Sequence, residues 1–145
     1  MTTQWQLAID CADPARLAEF WTLALGYEPA PPPVGWATWD EWFVAMGVPD
    51  DERADGATIA DPAGVRPSLC FHRVPEPKAG KNRLHLDVQV GGGRAQPHDE
   101  RWGRVTAAME RLTAAGASVV ELYELQGRPD HYVMADPEGN EFCLV

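Results

Sequence analysis

The sequence predicts an α+β fold in which a βαβββ unit occurs twice. The two modules would form a mixed sheet with pseudo-twofold symmetry around a cleft, with the helices on the outer face. Residues 5–11 and 83–90 each alternate apolar and polar positions, as half-buried strands do. Each is followed by apolar residues at the i, i+3, i+4, i+7 spacing of an amphipathic helix. Each half also has an Asp-Pro-x-Gly turn before an apolar-Cys-apolar strand, at residues 61–64 and 136–139.

The first half opens with the strand at residues 5–11. Asp13 is predicted to cap a helix that has Pro14 at its first position, and Gly26 to end it. The apolar face of this helix consists of Leu17, Phe20, Trp21 and Ala24. The proline-rich run at residues 29–33 can continue neither a helix nor a central strand, so it is predicted to be a connector.

A second helix is predicted from the capping box formed by Thr38 and Glu41, and it would end at Gly47. Its apolar face is Trp39, Trp42, Phe43 and Met46. We interpret this aromatic face as core or as a lid over the cleft rather than as a cofactor site. Strands at 57–60 and 68–74 complete the first module.

The second half repeats the order. The strand at residues 83–90 is followed by a glycine-rich, charged insertion at 91–103, which is predicted to be flexible. A helix follows whose apolar face is Val105, Ala108, Met109 and Leu112. Strands are predicted at 119–125 and 131–135, joined by a turn at 127–130, and a last one at 142–145.

Length and composition indicate one soluble, cytoplasmic domain covering residues 1–145, with modules at about 4–76 and 82–145. Hydrophobic residues make up 45% of the chain, yet no apolar run approaches the roughly 20 residues of a membrane span. The amino terminus does not resemble a signal peptide. The three cysteines are an odd number without close spacing, which favours reduced thiols.

The net charge of −10 argues against nucleic acid and anionic membranes as partners, since both would be repelled. A small-molecule ligand is the remaining expectation. Arg73, Lys78, Lys81 and Arg83 are crowded into one stretch of this acidic chain. They form either a local cationic rim for a small anion or a solvated loop with balancing charges.

The alternation assigns the side chains of the strands to two faces. A shift of 79 residues aligns the first strands, and their apolar positions should face the helices: Trp5, Leu7, Ile9, Leu84, Leu86 and Val88. The opposite face carries polar residues of the first strands, namely Gln6, Asp10, Arg83, His85, Asp87 and Gln89. The fourth strands add Ser68, Cys70, His72, Glu141 and Cys143. This face is either solvated or, as the twofold repeat favours, folded into a shared polar cleft.

These motifs resemble the glyoxalase/bleomycin-resistance/dioxygenase (vicinal oxygen chelate) superfamily. Segments 6–27, 71–90 and 134–145 carry the resemblance. It implies a glyoxalase-like domain, commonly assembled as a homodimer. It does not imply one reaction, because such folds are shared by isomerases, dioxygenases, epimerases and non-catalytic binding proteins.

The resemblance also implies a divalent metal site at Gln6, Cys70, His85 and Cys143. The isomerases it resembles have glutamate at the two fourth-strand positions, where this chain has cysteine. Because thiolates favour zinc, the chain is predicted to bind either zinc or no metal, with His72 as an alternative ligand beside Cys70. The competing interpretation is that both cysteines are small buried apolar residues.

The catalytic candidates are His85 and Asp87, which lie two residues apart on one strand face. They would act as a general base and a neighbour that raises its pKa. Substrate-binding candidates are Gln6, Asp10, His72, Arg83 and Cys143. Arg83 would grip a carboxylate or enolate, or alternatively pair with Asp10 or Asp87. His98 and His131 are placed in or beside loops and are assigned no role.

Two functions follow from these residues. The first is a lyase- or isomerase-type enzyme, using His85 as base or a metal. The second is a metal-free protein that sequesters a drug or metabolite. The dense polar face favours the enzyme, and the missing carboxylates favour binding.

Overall fold

The fold was examined in a computed structural model that covers residues 1–145. The chain divides into two compact units, Met1–Pro77 and Lys78–Val145. Each contains one four-stranded mixed sheet, and the chain has three α-helices in all. The α+β class and the repeated βαβββ order are therefore confirmed. None of the helices combines the length and apolar composition of a membrane span.

The first unit has the sheet order β1-β4-β3-β2, with β1 and β4 parallel and the other pairs antiparallel. Its elements are β1 (Leu7–Cys11), α1 (Pro14–Leu25), β2 (Glu28–Pro29), α2 (Trp39–Ala45), a 3-10 turn (Asp50–Glu52), β3 (Gly56–Ala60) and β4 (Leu69–Arg73). A parallel β1–β4 pair requires a long crossover, which the intervening helices and strands provide.

The helix ends in the first unit follow the predicted capping chemistry. The Asp13 carboxylate accepts a hydrogen bond from the Arg16 amide at 3.1 Å, and Gly26 ends α1 with φ of 69°. For α2, the Thr38 hydroxyl accepts from the Glu41 amide at 3.1 Å. The aromatic residues of α2 pack against one another, but no residue of this helix is fully buried.

The second unit has the equivalent order β5-β8-β7-β6, with β5 and β8 parallel. Its elements are β5 (Asp87–Val88), α3 (His98–Ala114), β6 (Ser118–Leu125), β7 (Arg128–Ala135) and β8 (Glu141–Leu144). The β6–β7 hairpin turns at Gln126 and Gly127, whose φ angles of 53° and 72° suit a two-residue turn with left-handed residues.

Several predicted boundaries in the second unit are wrong. The strand expected at 83–90 is only Asp87–Val88, and Leu84, expected in the core, is 79% exposed. The side chain of Asn82 bonds the Leu84 carbonyl and both backbone groups of Glu141, so the chain before β5 is held as a loop. Trp5, the position equivalent to Leu84, lies before β1 and is 66% exposed.

The insertion expected at 91–103 is also shorter than predicted, because α3 begins at His98. The β6–β7 turn lies one to three residues earlier than the predicted 127–130, since β7 extends back to Arg128. His98, which lay within the predicted insertion, is therefore the first residue of α3, and His131 lies in a strand, as predicted.

The repeated Asp-Pro-x-Gly turns have a structural explanation. Asp61 is buried, and its carboxylate accepts hydrogen bonds from the amides of Ala63, Val65 and Arg66. The Asp136 carboxylate does the same for Glu138 and Asn140. These bonds lower the pKa of Asp61. The motif therefore closes each turn before the last strand of its unit.

The helices α1 and α3 each pack an apolar stripe on one face of their own sheet. The largest buried side chains in the first unit are Leu17, Phe20, Trp21, Ile59, Leu69 and Phe71. Those in the second are Val105, Leu112, Met134, Phe142 and Leu144. The three cysteines are free. In both sheets the other face carries the polar residues, and that face holds the candidate site.

Candidate functional site

The polar face of the second sheet brings three candidate residues together. The strand register pairs Asp87 of β5 with Cys143 of β8, and His85 lies two residues before Asp87. The imidazole, carboxylate and thiol ligand atoms of His85, Asp87 and Cys143 all lie within 4.8 Å of one another. We call these three residues the His-Asp-Cys cluster.

The contacts inside the cluster are polar and half exposed. The Nε2 atom of His85 lies 3.4 Å from Oδ1 of Asp87, with side chains 49% and 58% exposed. Burial and the neighbouring Asp87 carboxylate raise the pKa of the Cys143 thiol. The thiol is therefore protonated near neutral pH unless a cation is added beside it.

The donor set of the cluster fits a divalent transition metal. Imidazole nitrogen, carboxylate oxygen and thiolate sulfur are the three ligand types that zinc accepts. A coordinated thiol loses its proton, so metal binding would leave Cys143 ionised beside the Asp87 carboxylate. The charge of the bound cation would offset the repulsion between these two groups. Asp87, which the sequence indicated only as a neighbour of the base, is thus also a candidate ligand.

An ion pair borders the cluster. The Lys81 ammonium lies 2.9 Å from the carboxylate of Glu141, and this contact raises the pKa of Lys81. Tyr123 on β6 is hydrogen-bonded to Glu121, whose charge further raises the pKa of the phenol. Lys81 is therefore neutralised by Glu141 and adds little net positive charge to the predicted cationic rim.

A pocket of about 300 Å³ opens beside the cluster. It is lined by Asp87, Gln89, Gly93, Arg94, Arg101 and Val145. This volume lies at the lower limit of small-molecule sites, so it suits a small metabolite. Because Asp87 belongs to both, the pocket adjoins the His-Asp-Cys cluster.

One wall of the pocket is built on a buried carboxylate. Asp130 accepts two hydrogen bonds from Arg94, at 3.0 and 2.7 Å, and one from Arg101 at 3.1 Å. Arg101 also donates to the Asp130 carbonyl and is itself only 4% exposed. The two guanidinium groups hold the pKa of Asp130 far below its usual range.

Gly91 makes room for this arrangement. A Cβ atom at position 91 would lie 2.6 Å from Cγ of Arg101, so only glycine lets the buried arginine pass. In contrast to Arg101, the Arg94 side chain is 64% exposed and borders the pocket. Two guanidinium groups share the Asp130 carboxylate here, so one positive charge is not balanced by Asp130, and the Asp87 carboxylate belongs to the lining of the same pocket.

His131 completes this group. Its Nδ1 atom lies 2.8 Å from Oδ2 of Asp130, and its ring stacks on Tyr123 with centroids 5.0 Å apart and planes at 1°. His98, also in this unit, differs from His131, because it bonds Asp99 through Nδ1 and the Pro129 carbonyl through Nε2.

The first unit holds the other candidates. Asp10 of β1 pairs with His72 of β4. Both are exposed on the polar face, which also carries Cys70. The Thr58 hydroxyl donates to the Cys70 sulfur at 3.2 Å. Gln6 precedes β1 and is exposed. That Gln6 and Cys70 share a metal site with His85 and Cys143 stays a prediction.

Arg83 is exposed, and Asp87, one of its two expected ion-pair partners, contacts His85 instead. Arg73 of the predicted rim pairs with Asp55 at 2.9 Å and donates to the Ala12 carbonyl, so it ties the first unit together. The arginines that line the pocket are Arg94 and Arg101, and Arg83 is not among its lining residues.

Sequence reasoning did not identify Arg94, Arg101, Asp130 or His131. A weak signal was present, since the stretch dismissed as an insertion has two arginines between glycines and a helical face. Arg101 lies four residues before Val105, so it continues the buried stripe of α3. A charged residue on a buried stripe requires a buried partner, and Asp130 is that partner.

The sequence as a whole matches one family model. Residues 6–145 match the model described as a glyoxalase-like domain. The chain belongs to the glyoxalase-like domain family. The resemblance in the sequence motifs is therefore confirmed. No curated protein matches the chain significantly in sequence.

Solved structures share the fold of this glyoxalase-like protein. The fosfomycin resistance protein FosX from Listeria monocytogenes is 13% identical with a TM-score of 0.60, covering 99% of this chain and 91% of FosX. A glyoxalase/bleomycin resistance protein/dioxygenase family enzyme from Burkholderia phytofirmans PsJN is 16% identical with a TM-score of 0.58, covering 95% and 93%.

A second FosX structure, of its E126Q mutant, is a complex with Mn(II) and 1S,2S-dihydroxypropylphosphonic acid. It is 11% identical to this chain with a TM-score of 0.58, and the alignment covers 99% of this chain and 90% of FosX. At such low identities these likenesses establish the fold alone.

Proposed function

We propose that this protein is a lyase- or isomerase-type enzyme acting on a small metabolite that carries a carboxylate or similar oxyanion. The observation that carries the proposal is the position of Asp87, which belongs both to the His-Asp-Cys cluster and to the 300 Å³ pocket. A ligand held in the pocket would thus lie against the groups able to act on it.

The chain's own residues have distinct roles in this proposal. Arg94, exposed at the pocket wall, grips the oxyanion of the ligand. Arg101 and Asp130 hold Arg94 in position from below. Gln89 offers amide donors and an acceptor at the same wall.

A divalent ion, most suitably zinc, would be held by His85, Asp87 and Cys143. When bound, it supplies Lewis acidity toward an oxygen of the ligand. Relatives with this fold include FosX, whose E126Q mutant contains Mn(II) and a phosphonate. Gln6 and Cys70 are proposed as further ligands, as the resemblance implies.

Metal binding is tested with the metal-free full chain and cobalt(II), whose thiolate complexes absorb in the near ultraviolet. We expect Cys143→Ser to lower this absorption and to weaken binding by at least about 100-fold, because it deletes a ligand of the cluster. If Cys143→Ser binds cobalt as tightly as the wild type, the cluster is not a metal site. The variant Cys70→Ser tests whether the first unit contributes a ligand. An equal loss of cobalt binding in this variant would add Cys70 to the ligand set.

Anion recognition is tested separately by NMR titration with acetate and methylphosphonate. We expect Arg94→Gln to weaken binding by about tenfold, the ratio that corresponds to losing one charge-assisted hydrogen bond. Arg83→Gln is the matched control and should bind as the wild type does. If Arg83→Gln lost anion affinity and Arg94→Gln did not, the anion would be bound by Arg83, as the sequence predicted.

The alternative function is metal-free sequestration of a small molecule. The raised pKa of Cys143 favours it, because a protonated thiol is a poor ligand. In that case anion binding would persist without any cobalt absorption.

We also propose that the protein is a homodimer. The edge strand β6 is exposed along all eight residues and carries several apolar side chains: Val119, Val120, Leu122, Tyr123 and Leu125. Such a strand favours pairing with a second copy. A strictly monomeric mass by light scattering at micromolar concentration would contradict this.

A further inference from the structure

We propose that His131 is a proton acceptor of this site, held by Asp130 with its proton on Nδ1 and its Nε2 lone pair available to the ligand. The inference rests on the proposed function for the existence of a ligand in the adjoining pocket. It assigns the acid–base step to a residue other than His85, which the metal would occupy.

The first support is the bond between His131 and Asp130. Nδ1 of the ring lies 2.8 Å from Oδ2 of a carboxylate that is only 5% exposed. Two guanidinium groups keep that carboxylate ionised, so it can only accept a hydrogen bond. A neutral His131 must therefore carry its proton on Nδ1.

The second support is the fate of the other ring nitrogen. The two nitrogens point to different sides of an imidazole, so a ring whose Nδ1 is bound to Asp130 directs Nε2 away from it. No hydrogen bond of Nε2 occurs within the chain, and no unpartnered side-chain nitrogen or oxygen is buried. Nε2 is therefore not fully buried and has no partner within the chain, and the parallel Tyr123 ring limits rotation of the imidazole.

The third support is location. In the β7–β8 ladder, Tyr132 pairs with Leu144, and Val133 with Cys143. Continuing the ladder by one residue sets His131 beside Val145, which lines the pocket. Successive side chains of a strand alternate between faces, so His131 shares the polar face with Val133 and Cys143. His131 is therefore a diagonal cross-strand neighbour of Cys143, at a distance of roughly 7–8 Å.

This geometry defines one chemical step. An acidic C–H or O–H of the ligand gives its proton to Nε2, and the electron pair of that bond stays on the ligand. His131 becomes an imidazolium, and Asp130 stabilises the new charge through the bond to Nδ1. In an isomerase the proton returns from Nε2 to another atom of the ligand; in a lyase the retained electron pair forms a double bond as the bond to the leaving group breaks, and that group takes the proton from Nε2.

His98 is the matched internal control. Its Nε2 lies 2.8 Å from the Pro129 carbonyl, an acceptor only, so Nε2 of His98 must carry a hydrogen. The two histidines therefore differ at Nε2, which carries a hydrogen in His98, whether or not Nδ1 of His98 also donates to Asp99, and a lone pair in a neutral His131.

The test uses the full chain labelled with nitrogen-15. Long-range proton–nitrogen spectra assign the tautomer of each neutral histidine, with His131→Asn identifying its signals. We expect the proton of His131 on Nδ1 and a protonated Nε2 on His98. A neutral His131 with its proton on Nε2 overturns the proposal.

The second arm measures acylation of each histidine by diethyl pyrocarbonate, followed by mass spectrometry. We expect His131 to react about tenfold faster than His98. This ratio corresponds to the one hydrogen bond that Nε2 of His98 must break before it reacts. Tyr123→Leu should leave the His131 tautomer unchanged. Equal or slower reaction of His131 overturns the proposal, whereas cobalt and acetate binding in the same samples reports on the proposed function alone.

Discussion

Cys70 and Cys143 occupy equivalent places in the two units, yet their surroundings differ. Each lies on the polar face of the last strand, after an Asp-Pro-x-Gly turn. Across the parallel ladder, Cys70 pairs with Ala8, whereas Cys143 pairs with Asp87. The repeat therefore shares its backbone pairing but not its chemistry, and the ligand cluster forms where the first strand supplies a carboxylate.

A second difference lies beneath the polar face. Both units bury the aspartate of the turn, but only the second adds a buried arginine–aspartate pair, Arg101 and Asp130. The first unit has an ordinary apolar core below its helix. This pair, with Gly91, provides the wall of the pocket, so the unit that carries the candidate site also carries buried charge.

The largest expected effect comes from Asp130→Ala. It leaves Arg101, with a side chain only 5% exposed, without its counter-charge. We expect the free energy of unfolding to fall by about 3–5 kcal/mol, as when one partner of a buried ion pair is removed. Urea denaturation followed by tryptophan fluorescence measures it. Asp99→Ala is the control, since its ion pair with Arg128 is exposed, and a loss as large as that of Asp130→Ala would contradict this explanation.

A smaller effect is expected at the helix starts. The side chain of Asp13 caps α1, whereas α3 follows Pro97 and has no side-chain cap. We expect Asp13→Ala to lower the free energy of unfolding by about 1 kcal/mol, because an amide of the first turn loses its acceptor. Thermal unfolding of Asp13→Ala and Pro97→Ala measures the contrast. Equal losses in both variants would show that the cap is not the cause.

The smallest effect concerns the reactivity of the two cysteines. The Asp87 charge raises the pKa of Cys143, so Asp87→Asn should lower that pKa and increase the thiolate fraction at pH 8. We expect alkylation of Cys143 by iodoacetamide to accelerate by less than about tenfold, because burial, the larger cause, remains. The difference should vanish at a pH above both pKa values. Cys70, opposite Ala8, is the control and should keep its rate; a slower Cys143 would show the opposite sign.

Much of the fold could be predicted because its signals are local. The helix α1 begins and ends where Asp13, Pro14 and Gly26 indicated, since caps act within one turn. The prediction was wrong where a distant residue intervened. Residues 83–86 alternate as a strand would, yet Asn82 bonds the backbone of Glu141 and holds the segment as a loop. Alternation alone does not reveal such a bond.

The candidate site was only partly predictable for the same reason. The period of two placed His85 and Asp87 on one face, and the repeat placed Cys143 on the equivalent face of the last strand. That Asp87 and Cys143 are direct neighbours depends on the ladder register, which joins residues 56 positions apart. Such patterns could not identify His131, because its proposed role depends on its contact with Asp130 and on the two arginines that bind Asp130.

The sequence by itself determined the repeated βαβββ order, the helix ends, the turn chemistry and the division of each strand into an apolar and a polar face. All of these depend on neighbours within a few residues, where steric and hydrogen-bonding preferences act directly. The tertiary structure alone decided which charges are buried together, above all Arg101 with Asp130, 29 residues apart. A guanidinium can be buried without a large cost only where the fold places a carboxylate beside it. That placement depends on the packing of the helix against the sheet.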